Sequence, residues 1–166
     1  MTRGVRRFKT PLSTRPLLAL LIASAISICF CDYSFAPTIA QGIWGRVEFR
    51  EGNFMPGSWP RRGSVTYVQR RIFIFEKTHD SDVVADRDLG LAFFKEVRTD
   101  LIAEVNSNSK GYYQVELPAG TYSLFVEEQG RYYADRFDGY GYIFPVTVHE
   151  NNVLRVNILI DYKAFY

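Results

Sequence analysis

Cysteine is the residue this 166-residue chain does without: it has two, Cys29 and Cys31, and none afterwards. A body without cysteine has no disulfides and no thiol nucleophile, so core packing must hold it together. Histidine is almost as scarce, with only His79 and His149. A zinc centre needs three or four converging ligands, and neither H-x-x-E nor H-E-x-x-H spacing occurs. No G-x-S-x-G is present, and the serines near His79 read as ordinary loop serines, so a hydroxyl nucleophile with base and orienting acid is not expected. The chain also lacks internal repeats and low-complexity tracts. These absences point away from an enzyme and from any cofactor.

Long apolar runs are confined to one place. Arg3, Arg6, Arg7, Lys9 and Arg15 precede Leu17 to Cys31, which is almost wholly apolar. A basic segment followed by an apolar one of this length reads as a secretory signal. It is short for a permanent span, which takes about 20 apolar residues. Small residues at Thr38 and Ala40 place cleavage before Gln41, giving a leader of 1–40 and a domain of 41–166. Cutting after Ala36 is disfavoured by Pro37. The alternative is a lipoprotein acylated at Cys29 or Cys31, although Ile28 and Phe30 stand where a small residue is usual. Losing five basic residues and Asp32 with the leader leaves 15 Lys and Arg against 17 Asp and Glu. The net charge of +2 then becomes −2. The basicity belongs to the leader and gives no argument for nucleic-acid binding. A membrane would be met only through the leader or a lipid anchor.

What the chain has in quantity is aromatic residues, 13 Phe and 11 Tyr, each able to bury a large apolar area. Seven segments read as strands: Ile43 to Phe49, Arg70 to Glu76, Leu101 to Asn106, Tyr112 to Leu117, Thr121 to Glu127, Phe144 to Val148, and Leu154 to Ile160. In the last, Leu154, Val156, Ile158 and Ile160 share one face. Arg70 to Glu76 is apolar on both faces, as in a central strand covered on two sides. Three strands packed into Leu101 to Glu127 are too close for parallel pairing with one another, which commits this region to antiparallel structure. Turn clusters at Ser107 to Gly111, Pro118 to Gly120 and Glu150 to Asn152 separate the strands. Arg50 to Val65 reads as a surface loop. Lys77 to Thr99 reads as a short helix or irregular segment over one end. The sum is an all-β, seven-stranded antiparallel two-sheet sandwich behind an N-terminal signal segment.

Three motifs carry a resemblance: Gly45-Arg46-Val47, Asn108-Ser109-Lys110-Gly111-Tyr112, and Leu117-Pro118-Ala119-Gly120-Thr121-Tyr122. They resemble the carboxypeptidase regulatory-like domain, which shares its sandwich with prealbumin (transthyretin). The chain also resembles small exported proteins of Bacteroidetes-type bacteria, through Glu51 to Gly57 and Ile160 to Phe165. The resemblance implies a prealbumin-like sandwich and no peptidase. The C-terminal Tyr162-Lys163-Ala164-Phe165-Tyr166 departs from the Tyr-Arg-Gly-Ser ending of the transthyretin-fold hydrolases. Physically, Pro118 ends strand pairing, and Tyr122 is able to bury its ring while bonding a loop carbonyl.

Two segments are candidate sites. Asp80, Asp82, Asp86 and Asp88 lie close enough to suggest a hard cation. The spacing lacks the glycine and terminal glutamate of an EF-hand, however, and a solvated loop is the simpler reading. In the stretch Gly130 to Tyr142, Tyr132, Tyr133, Arg136, Phe137, Tyr140 and Tyr142 combine rings with hydrogen-bonding groups, as in sugar or protein recognition. The simpler reading there is that the rings close one end of the sandwich. Trp59 is a further exposed candidate. The function expected is a noncatalytic binding or structural accessory of the bacterial cell envelope, exported to the periplasm, cell surface or medium, with an envelope protein or glycan as partner. A carbohydrate-binding module using Tyr132 to Tyr142 is the alternative. A small hydrolase ranks third.

Overall fold

Alternating apolar and polar residues from Gly42 onward form the strand around which the smaller sheet is built. The computed structural model describes residues 35–57 and 63–166, so most of the expected leader of 1–40, with Cys29 and Cys31, and also Trp59 lie outside the described residues. The architecture is all-β, with two sheets and mostly antiparallel pairing. In chain order the strands are β1 (Gly42–Asn53), β2 (Ser64–Tyr67), β3 (Arg71–Glu76), β4 (Val83–Ala85), β5 (Phe93–Val97), β6 (Leu101–Asn106), β7 (Tyr112–Glu116), β8 (Gly120–Glu128), β9 (Arg131–Tyr133), β10 (Pro145–Val148), β11 (Val153–Arg155) and β12 (Ile158–Phe165).

The smaller sheet has β1 at its centre. One side of β1 pairs antiparallel with β7 and then β2; the other pairs parallel with β11 and then β12. The larger sheet runs β4-β5-β9-β8-β3-β6, with β10 also beside β8. The two layers share one apolar cluster. Ile43, Val47, Ile158 and Ile160 come from the smaller sheet, and Ile72, Ile74, Leu124, Val126, Phe93 and Tyr133 from the larger. Phe93 and Tyr133 meet Tyr162 with centroids 5.1 and 5.7 Å apart. Glu128, also buried, is satisfied by Arg70 and by the Tyr162 hydroxyl, as a buried charge requires.

Several expectations change. Among the described residues twelve strands replace seven, and β1 makes parallel pairs that the antiparallel reading did not include. Lys77 to Thr99 holds no α-helix: a 3-10 turn at Asp80–Asp82 leads into β4 and β5. Leu89, Phe93 and Val97 have helical spacing, but Phe93 and Phe94 are buried on opposite faces of a strand, where two adjacent rings both find partners. Arg50 to Val65 is partly strand, because β1 runs on to Asn53 and β2 pairs with it. Leu154 is 38% exposed and does not share the buried face of Val156, Ile158 and Ile160, because the ladder breaks between β11 and β12.

Other expectations stand. β3 lies between β6 and β8, and Ile72, Phe73, Ile74 and Phe75 are all buried, as a strand covered on both faces should be. β6 and β8 pair antiparallel with β3, yet the three successive strands do not pair with one another. β7 crosses to the smaller sheet and β8 crosses back. The turns at 107–111 and 117–120 are therefore corners between layers. At the second, the Tyr122 hydroxyl donates to the Pro118 carbonyl at 2.9 Å while the ring is buried.

Candidate functional site: a two-arginine cleft beside the aromatic loop

The loop from Ala134 to Phe144 follows β9 and doubles back on itself before β10. Asp138 organises its tip: one carboxylate oxygen accepts from the amides of Tyr140 (2.8 Å) and Tyr142 (2.9 Å). Burial pushes the Asp138 carboxyl up, and these amides together with Lys77 and His79 outweigh it, so the group is held below the usual carboxylate range. Farther along, the amide of Phe144 donates to the carbonyl of Arg136 at 2.7 Å, and that of Ile143 to the carbonyl of Thr78 at 2.9 Å. Phe144 has φ of 37°, a left-handed conformation that is rare for a bulky side chain. Strain of this kind persists only where the surroundings over-determine it. Here the ring is buried, and the Arg136 guanidinium lies 4.7 Å from its centre.

Beside this loop is a cleft of about 530 Å³, lined by Arg136, Phe137, Phe144, Thr147, Arg155 and Asn157 among others. It is bounded by the loop and β10 from the larger sheet, and by β11 and the β11–β12 junction from the smaller. Arg136 also borders a smaller hollow with Glu48, Arg50 and Asn157. Neither the Arg136 nor the Arg155 side chain forms an ion pair or hydrogen bond among the described residues; each lies over a ring, Phe144 and Trp44 respectively. The guanidinium groups of Arg136 and Arg155 keep N–H donors for oxygen acceptors, in a cleft whose lining also holds the exposed Phe137 and the Asp138 carboxylate.

The rings of the candidate loop are thereby divided. Tyr133 is buried in the core with its hydroxyl on Asp161, and burial raises its phenol well above the usual range. Tyr132 packs edge-on against Phe73, Phe75 and Phe125 on the opposite face of the larger sheet. Tyr142 is half-buried, with the Lys77 ammonium 3.3 Å from its centroid and His79 edge-on at 5.2 Å. Only Phe137, 49% exposed, Tyr140, 83% exposed, and Arg136 offer themselves to solvent. Composition alone picked out the loop but not Arg155 and Asn157, which lie in a strand and its junction. Their approach to the loop is a matter of topology that residue spacing along the chain does not reveal.

The acidic segment does not converge. Asp86 is buried, with Arg131 at 2.7 Å and Lys95 at 3.5 Å. The Arg131 hydrogen bond lowers its pKa; burial opposes this and Lys95 assists it. Asp80 and Asp82 belong to the 3-10 turn capped by His79, and Asp88 is exposed. Among the described residues no group of three or more His, Cys, Asp or Glu is placed to hold a metal ion. His79 is engaged at both ring nitrogens. Nε2 donates to the Tyr140 carbonyl at 3.1 Å, since a carbonyl only accepts, and Nδ1 lies 3.0 Å from the Ser81 hydroxyl and 3.2 Å from the Ser81 amide. Asp80 lies 2.7 Å from Nδ1.

Asp135 stands apart. Its Oδ1 is buried with no hydrogen-bond partner, and burial, then the charge of Asp161, pushes the carboxyl above its ordinary range. No helix among the described residues is long and apolar enough to cross a membrane. No family model, curated protein or solved structure matches this chain.

Proposed function

We propose that this protein is a noncatalytic, exported accessory of the bacterial cell envelope, built on a prealbumin-like sandwich of the carboxypeptidase regulatory-like kind. It binds an envelope partner through the cleft between Arg136 and Arg155. The observation that carries this reading is a cleft lined by Arg136, Arg155 and the exposed Phe137, in which neither arginine side chain forms an ion pair or hydrogen bond among the described residues. Arginine beside an exposed ring is the composition of an interface hot spot. The basic segment from Arg3 to Arg15 and the apolar run from Leu17 to Cys31 supply the export part of the proposal.

The test is retention on washed envelope fragments by the purified protein, with Arg136→Ala/Arg155→Ala as the comparison and circular dichroism as the check on folding. Retention lost in the double variant supports the reading. Retention unchanged, or turnover of a small substrate abolished by substitution at His79 or His149, defeats it.

A carbohydrate ligand is favoured by a separate observation, the exposure of Phe137 and Tyr140 in one loop. Glycan-array binding lost on Phe137→Ala or Tyr140→Ala would select that version. Tyr132 and Tyr133 are unsuited to such a test because both support packing.

A further inference from the structure

The outer face of the smaller sheet carries a row of alternating rings and guanidinium groups, and its central place is taken by the chain's own upstream segment. Arg155 lies 5.1 Å from the Trp44 ring, and Phe35 stacks on Trp44 at 5.9 Å and on Tyr112 at 4.7 Å with planes 11° apart. Arg46 then lies over both Tyr112, at 4.4 Å, and Tyr67, at 3.1 Å. Residues 35–40 run extended along this row. Phe35, Pro37 and Ile39 are half-buried and Ala36, Thr38 and Ala40 exposed, the alternation of a chain lying on a surface. Thr38 fixes the register with a reciprocal pair: its amide donates to Gln114 Oε1 at 2.9 Å, and Gln114 Nε2 donates to Thr38 Oγ1 at 2.7 Å. The compact unit accordingly begins at Phe35.

These contacts conflict with a mature chain that begins at Gln41. Leader cleavage acts on the exported chain before it folds, so the folded segment does not shield the bond. The conflict lies in the product. Removing residues 35–40 uncovers faces of Trp44 and Tyr112 that Phe35 covers, and leaves the Gln114 amide without Thr38. Stacked rings contribute beyond their buried area, and an aromatic patch left open on a sheet face is an aggregation liability.

We propose that residues 35–40 are a permanent strap of the working protein, and that any removal of the leader takes place upstream of Phe35. The second clause rests on the export reading; the first does not.

The full-length chain, expressed in an exporting bacterium, is fractionated and its N-terminal peptide identified by mass spectrometry. A peptide that contains Phe35 supports the strap, whether it starts with an acylated cysteine or an unmodified residue. A start at Pro37 or Gln41 overturns it while leaving export intact. Uncut chain in the cytoplasmic fraction retains the strap and overturns export instead. A second measurement reads the strap directly. With Trp59→Phe as background, Phe35→Ala is expected to shift Trp44 emission to the red and to increase its quenching by acrylamide. Gln114→Ala, which removes both bonds to Thr38, should do the same to a lesser degree. Emission and quenching unchanged in both variants would show that the strap does not cover Trp44.

Discussion

Tyr133 and Asp161 join the two sheets by a pair of bonds at the edge strand. The Tyr133 hydroxyl donates to Asp161 Oδ1 at 3.1 Å and accepts from the Asp161 amide at 3.3 Å. The β1–β12 register shifts beside this point, with Phe49 opposite Ile160 and Glu51 opposite Lys163. A bulge twists an edge strand away from new partners, and here a phenol from the facing sheet also occupies an edge amide. In a body without disulfides this joint does two things at once: it ties the layers and blunts an edge.

Tyr133→Phe should therefore destabilise the fold by about 1–3 kcal/mol, since it leaves the Asp161 amide without its partner while keeping the ring. Urea denaturation followed by circular dichroism reads the effect. An unchanged midpoint would mean that the amide finds water and that the joint adds nothing.

Tyr122 separates ring from hydroxyl in the same way at the Pro118–Gly120 corner. Tyr122→Phe should cost about 1 kcal/mol, the worth of one hydrogen bond, and Tyr122→Ala about 3–5 kcal/mol through the cavity it leaves. Equal losses in the two variants would contradict this division.

Two aspartates should respond to pH with opposite sign. Asp86 is held below its ordinary range by Arg131, so its contribution is present above the unfolded value of about 3.9 and is lost as pH falls through the lower folded value. Asp86→Asn should be less stable than wild type at neutral pH, with the gap closing in acid. Asp135 is raised by burial, so its ionisation opposes folding once pH exceeds the unfolded value of about 3.9. Asp135→Asn should gain stability at neutral pH and lose that advantage below pH of about 3. Thermal melts from about pH 2 to about pH 8 compare the pair; shifts of the same sign would refute the assignment.

Gly141 has φ of 86°, and a Cβ there would lie 2.6 Å from His79 Nε2. Gly141→Ala is expected to cost more than about 1 kcal/mol, from the backbone conformation and the displaced ring together. Hydrogen exchange should show the loss concentrated at the Ile143 and Asp80 amides, which bond the Thr78 and Gly141 carbonyls. Protection unchanged at both amides would separate this glycine from the loop's order.

How far the chain could be read in advance depended on the range of the cause. The run apolar on both faces that became β3, the alternating run that became β8 and the Tyr122–Pro118 bond follow from neighbours within a few residues, and they were legible. The pairing of β7 with β1 was not. Ser107 to Gly111 looks the same as a hairpin turn or as a corner, and what decides is distant: Ser107 Oγ bonds the Arg70 amide, and Gly111 packs under the Val47 carbonyl. β5 was hidden because Phe93 and Val97 satisfy a helical period with Leu89 equally well. Arg136 and Phe137 were found by composition; Arg155 enters the same cleft only because β11 runs parallel beside β1.

The most direct measurement is a map of amide chemical shifts by NMR while solubilised envelope material is added to the labelled protein. The account predicts perturbations gathered at 136–138, 144–147 and 154–157, and their loss in Arg136→Ala/Arg155→Ala. Perturbations confined to another face, or persisting in that variant, would contradict it.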